Sequence, residues 1–181
     1  MGRSTILLVA VVLVLLVSAF LESFPMAQTL LALGFTIAIL AAIHGTSTRP
    51  WVFRLTTAVA ILGFVLELAH ALEPSPVLFV ARFLSTVAVL CVVAVVLCLD
   101  TLRRPEITVE QVSGALAAYL FIGLILGHLF FVLEALQPGA IAFGSSAPSA
   151  ESHLGDCIYF SFVTLTTLGY GDIAPVSAQA R

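Results

Sequence analysis

Charge is what this chain has least of. Only 9% of its 181 residues are charged, against 61% hydrophobic and a mean hydropathy of +1.18. That is too little polarity to coat a water-soluble core, so composition excludes an ordinary soluble domain. Lysine is absent altogether and the positive charge rests on seven arginines. With a net charge of -3 and no basic run, a nucleic-acid partner is excluded as well. The cysteines, Cys91, Cys98 and Cys157, form no paired framework outside a membrane and read as small packing residues.

What is abundant is apolar stretch near the roughly 20 residues that cross about 30 Å of hydrocarbon. Five such runs occur: Thr5 to Leu21, Met26 to Ile43, Leu55 to Leu72, Val77 to Leu99 and Val112 to Leu136. Lipid forces backbone groups to bond within a segment, so each run is expected to be a helix. Arg3 precedes the first run, Arg49 and Arg54 lie between the second and third, and Arg103 and Arg104 between the fourth and fifth. The links ESFP and EPSP carry no positive charge. This alternation places the amino terminus in the cytoplasm and the segment after the fifth run outside. The first run, ending at Val17 to Ala19, also fits a secretory signal peptide; the remaining topology is the same either way.

Beyond the fifth run, residues 137–155 (QPGAIAFGSSAPSAESHLG) read as an outer loop. Apolarity then returns only over Asp156 to Leu168, too short to cross, with Asp156 suited to the first turn of a helix. A short apolar helix followed at once by Gly-Tyr-Gly describes a re-entrant hairpin. Non-helical backbone at that depth is tolerated only where it is buried in protein or lines a water-filled cavity.

TLTTLGYGD, Thr164 to Asp172, explains such a hairpin. A potassium ion crossing lipid must exchange its water shell for oxygen ligands, and backbone carbonyls supply these without adding net charge. Carbonyls that share an axis require alternating left- and right-handed backbone, which Gly169 and Gly171 adopt at little steric cost. The carbonyls of Thr167, Leu168, Gly169 and Tyr170, with the Thr167 hydroxyl, would form stacked ligand levels. One strand offers one oxygen per level, so four copies are expected. The negative end of the short helix dipole, near Thr166, would favour cations there.

TTLGYGD resembles the selectivity filter of the potassium channel family, and YFSFVTLTTLGYGDIAP resembles its pore helix, filter and outer mouth. The resemblance covers roughly the last third of the chain, and four spans before a pore unit is similar to six-span bacterial and voltage-gated members. It implies an all-α integral membrane protein: a four-helix front region over residues 1–104, then a pore region over 105–181. The latter comprises an outer helix at 112–136, an outer loop at 137–155, a pore helix at 156–167 and a filter at 167–171. It implies K+ as the permeant ion, no other cofactor, a cell-membrane location with the filter facing outward, and a homotetramer or assembly with channel subunits.

The chain departs from the family at several places. Where members commonly carry a tryptophan pair in the pore helix it has Tyr159 and Phe160, so an indole donor to Asp172 is missing and the mouth is expected to be braced differently. Val163 stands where some bacterial members place a glutamate. Glu134 resembles an acidic residue that in voltage-gated relatives braces the loop after the filter; a solvated helix-end charge is the plainer reading. Only IAPVSAQAR follows the filter, without the inner helix of family members, so the sequence reads as truncated and is expected not to conduct alone. Thr166, Asp172, Glu134 and Tyr159 are therefore the expected supports of a filter formed by Thr167, Leu168, Gly169, Tyr170 and Gly171.

The front spans carry little fixed charge. Each charge that crosses the field contributes only about 2.3 kcal/mol per 100 mV, so a voltage sensor needs several arginines. The fourth run has Arg82 alone, and strong voltage dependence is not expected. Arg82 and Glu67 lie at similar depth on runs joined by a four-residue link. They are candidates for an intramembrane pair, the alternative being that Arg82 snorkels outward.

Glu67 and His70 form a single E-x-x-H, which with His128 and Glu134 offers too few ligands in register for a two-metal site, so no enzyme or metal site is expected. Gly123 and Gly127 form a G-x-x-x-G, a spacing that lets helices approach closely. Two other readings stay open beside the channel: a non-conducting membrane subunit that assembles with longer partners, and a potassium transporter with a degenerate filter. Transporters of that kind generally keep single glycines across several repeats, and here one intact TLGYG stands unrepeated.

Overall fold

The computed structural model describes residues 3–20, 50–73, 75–103, 108–144 and 153–181. They are mostly helical, in the order α1 (Arg3–Phe20), α2 (Pro50–Leu72), α3 (Pro76–Arg103), α4 (Val109–Leu136), β1 (Ile141–Phe143), α5 (His153–Leu165) and β2 (Ile173–Pro175). The expected span from Met26 to Ile43 lies outside the described residues. Two of these helices, over Pro76–Leu102 and Val109–Leu136, are long and apolar enough to cross a membrane.

Local chemistry sets the helix starts. Ser75 caps α3 by accepting from Phe79 N–H on its carbonyl at 2.9 Å, and Pro76 follows at the first helical position, where a missing N–H costs nothing. Thr108 caps α4, its Oγ1 accepting from Gln111 N–H at 3.2 Å. Glu110 lies in the first turn, where its charge suits the helix dipole. The side chain of Gln111 does not turn back to close a capping box; it reaches across to donate to the Thr101 carbonyl at 2.8 Å.

The chain divides into two compact units, Met1–Ile122 and Gly123–Arg181, with the division inside α4. In the first, Leu7, Val11, Leu90, Val93, Leu97 and Ala117 are buried. Small hydroxyl residues let helices come close: Thr5 Oγ1 donates to Ser113 Oγ at 3.2 Å, and a Cβ on Gly114 would come within 2.9 Å of Thr101 Oγ1. Helices α2 and α3 pack against each other, closely enough that a Cβ on Gly63 would lie 2.7 Å from Ser85 Oγ.

In the second unit the buried side chains include Leu124, Phe131 and Val132 of α4, Ile141 of β1, and Cys157, Phe160, Ser161 and Val163 of α5. An all-helical fold was expected, with residues 137–155 as loop; instead β1 arises inside that loop and pairs antiparallel with β2. The register sets Ile141 opposite Pro175, Ala142 opposite Ala174 and Phe143 opposite Ile173. Three-residue strands show no periodicity of their own, so only their long-range pairing reveals them.

Candidate functional site

Helix α5 begins at His153, three residues earlier than its apolar run, and ends at Leu165. The way it closes sets the backbone just beyond. Leu168 N–H donates to the Val163 carbonyl and Thr167 N–H to the Thr164 carbonyl, both at 3.0 Å. This crossed pair is a Schellman close, which requires a left-handed residue at the first position past the cap. Here that residue is Thr167, at φ 59°. A β-branched side chain in that region is strained, and its hydroxyl donates to the Thr166 carbonyl at 2.7 Å. Thr166 in turn donates from Oγ1 to the Phe162 carbonyl at 2.6 Å.

The left-handed residue is the first of three. Gly169 has φ 56° and Gly171 φ 78°, while Leu168 and Tyr170 between them are not left-handed. Alternation of this kind turns successive carbonyls toward one side of an extended strand. A Cβ on Gly169 or Gly171 would find nothing within 4 Å, so glycine is required at these positions by backbone angle and not by space. The strand is exposed throughout, and two large side chains stand out on it, Leu168 at 57% and Tyr170 at 66% exposure.

Past the strand, Asp172 Oδ2 accepts from the Tyr159 hydroxyl at 2.8 Å, tying the end of the strand back to the helix that starts it. The sequence offered no indole for this carboxylate; a phenol takes that place. Next, β2 pairs with β1, and the Ala140 carbonyl accepts from both Val176 N–H at 2.9 Å and Ser177 N–H at 3.1 Å. The carboxylate of Glu134, at the end of α4, uses both oxygens: Oε1 accepts from Gly139 N–H at 2.7 Å and Oε2 from Ile141 N–H at 2.9 Å. Glu134 therefore holds β1, and β1 holds the segment after Asp172.

The expected pair of Glu67 and Arg82, and His70, lie in the first unit. Arg82 Nη1 donates to Glu67 Oε1 at 2.7 Å, with the guanidinium carbon 5.1 Å from the centre of the Phe79 ring and 4.7 Å from that of Phe83. Both charge and aromatic faces hold the guanidinium in place. His70 is edge-on to Phe79 at 5.9 Å, and its Nδ1 accepts from Ser75 N–H at 3.4 Å. His128 Nδ1 lies 2.8 Å from the Leu124 carbonyl of its own helix. Among the described residues, no three of His, Cys, Asp and Glu gather closely enough to hold a metal ion.

Three features of the site were not foreseen from sequence: the left-handed Thr167, the β1–β2 pairing and the bond by which Tyr159, itself an expected support, reaches Asp172. The replacement of a tryptophan pair by Tyr159 and Phe160 was the available signal for that bond. Residues 114–181, which take in most of α4 and everything after it, match a model of a family described as ion channel. The match supports a passive ion-conducting role for this stretch and, with the two long apolar helices, a place in a membrane. No curated protein and no solved structure matches the chain.

Proposed function

We propose that the chain is a subunit of a potassium-selective channel. Four copies each contribute the strand from Thr167 to Gly171, whose carbonyls replace the water shell of K+. The observation that carries this reading is the left-handed backbone at Thr167, Gly169 and Gly171, on an exposed strand between a helix carboxyl end and a two-stranded brace. An ordinary surface loop has no use for three such residues at alternate positions. The helix end adds partial negative charge near the cation, about half an elementary charge. Leu168 and Tyr170, exposed by more than half on one chain, would be covered by neighbouring copies, which accounts for large apolar groups on such a strand.

In this reading the chain crosses the membrane five times, with its amino terminus in the cytoplasm and the strand near the outer face. Both follow from the arginine distribution. Residues 1–104 act as a scaffold with little voltage sensitivity, because their fourth span carries the single charge Arg82. Thr166, Tyr159, Asp172 and Glu134 support the strand.

The test is binding of Rb+ by the purified chain in liposomes, alongside its oligomeric state in the same preparation. A tetramer whose bound Rb+ is competed away by K+ and not by Na+ is the expected result, with no uptake by the chain alone. Equal competition by Na+, or a monomer that shows no alkali-cation preference, overturns the reading. A tetramer that binds no K+ instead favours a non-conducting subunit that assembles with longer partners.

A further inference from the structure

The strand from Thr167 to Gly171 has few contacts of its own, so its height depends on how α5 is held. Three observations in the second unit bear on this. Ser161, fully buried on α5, donates from Oγ to the carbonyl of Gly123 on α4 at 2.6 Å. The Phe162 ring fills the space where a Cβ on Gly123 would stand. One turn along α4, a Cβ on Gly127 would lie 2.8 Å from the Ile158 Cα. The two glycines of the G-x-x-x-G therefore receive the backbone and side chains of α5 within the same chain.

We propose that Gly123, Gly127 and Ser161 are positioning residues that lock the register of α5 along α4, and so set the level of the carbonyl ladder and its discrimination between K+ and Na+. The proposal rests on the channel reading above. Its logic is geometric. Helices meeting at glycines lie closer than larger residues allow, and at such closeness a single methyl forces a slide or a tilt. A hydrogen bond to a helical carbonyl, buried on both sides, has no water to replace it when it is broken. A slide of α5 passes through the Schellman close to Thr167 and moves every carbonyl beyond it, whereas Tyr159 and Asp172 constrain only the far end of the strand.

The experiment measures K+ and Na+ binding by calorimetry on the purified full chain in nanodiscs, together with amide hydrogen exchange. Gly123→Ala is expected to lower the K+-to-Na+ affinity ratio about tenfold, the equivalent of one buried hydrogen bond. Gly123→Ala combined with Phe162→Leu is expected to recover most of it. Gly127→Ala should lower the ratio without recovery by Ile158→Ala, because the Ile158 Cα opposes the new methyl as closely as the side-chain Cγ1, both at 2.8 Å. Ser161→Ala should lower it while adding no bulk, and Ser161→Thr should retain it. Exchange should rise from Thr166 to Asp172 and stay unchanged through α4.

Wild-type discrimination in both Gly123→Ala and Ser161→Ala overturns the proposal, as does exchange that rises evenly through α4 and α5. If the unsubstituted chain itself fails to prefer K+, the channel reading falls. The exchange pattern then still decides whether the lock exists.

Discussion

The two units place charge in opposite ways. In the first, one guanidinium meets one carboxylate at 2.7 Å between two aromatic faces, an arrangement that neutralises a charge where water is scarce. In the second, a run of five residues presents uncharged main-chain oxygens, with the carboxylates of Asp172 and Glu134 turned to bracing bonds. A fixed side-chain ion in a membrane demands its own partner and so holds structure together. Carbonyl dipoles demand none, and remain available to an ion that must leave again. On the proposed reading, the first unit governs stability and the second governs ion binding.

That contrast is broken most strongly at the glycines. Gly169→Ala or Gly171→Ala asks an L-residue to hold a left-handed backbone at about 1–2 kcal/mol per residue. Summed over four proposed copies, this should abolish K+ binding in calorimetry while leaving the circular dichroism unchanged; retained binding would break the link between backbone angle and function. The next largest effect belongs to the first unit. Arg82→Met or Glu67→Leu alone strands a charge and should lower thermal stability by roughly 1–3 kcal/mol, and the double variant should recover part of that loss. K+ affinity should not change in any of the three, and a change would dissolve the division of labour between the units.

Two smaller effects sharpen the account of the brace. Glu134→Ala leaves the Gly139 and Ile141 amides without their acceptor, which costs about 2 kcal/mol and should speed their hydrogen exchange about thirtyfold. Tyr159→Phe removes one exposed donor, a smaller loss than that of the two amide bonds to Glu134. It should speed exchange near Asp172 by about fivefold, with little change at Gly139. A larger effect from Tyr159→Phe than from Glu134→Ala would reverse the proposed order of support.

Much of this arrangement could be read in the sequence because it rests on composition and local backbone chemistry. The glycines at 169 and 171 announce left-handed positions by their residue type, and the short link between α2 and α3 brings Glu67 and Arg82 to one level. What escaped depends on distant partners. Thr167 carries no mark of its left-handed angle, which the helix close imposes through Val163 and Thr164. The strands β1 and β2 are three residues each and exist through their pairing and the carboxylate of Glu134. The glycine pair of α4 signalled a close neighbour but not which one, since spacing encodes distance of approach and not the identity of the approaching helix.

The claim at the centre is that uncharged main-chain oxygens, not side chains, receive the ion. Carbonyl carbon chemical shifts of the labelled full chain in lipid, recorded as K+ is exchanged for Na+, test it most directly. The shifts of Thr167, Leu168, Gly169 and Tyr170 should move together while the carboxyl carbons of Asp172, Glu134 and Glu67 stay in place. Stationary carbonyls, or a response confined to those carboxylates, would contradict the account.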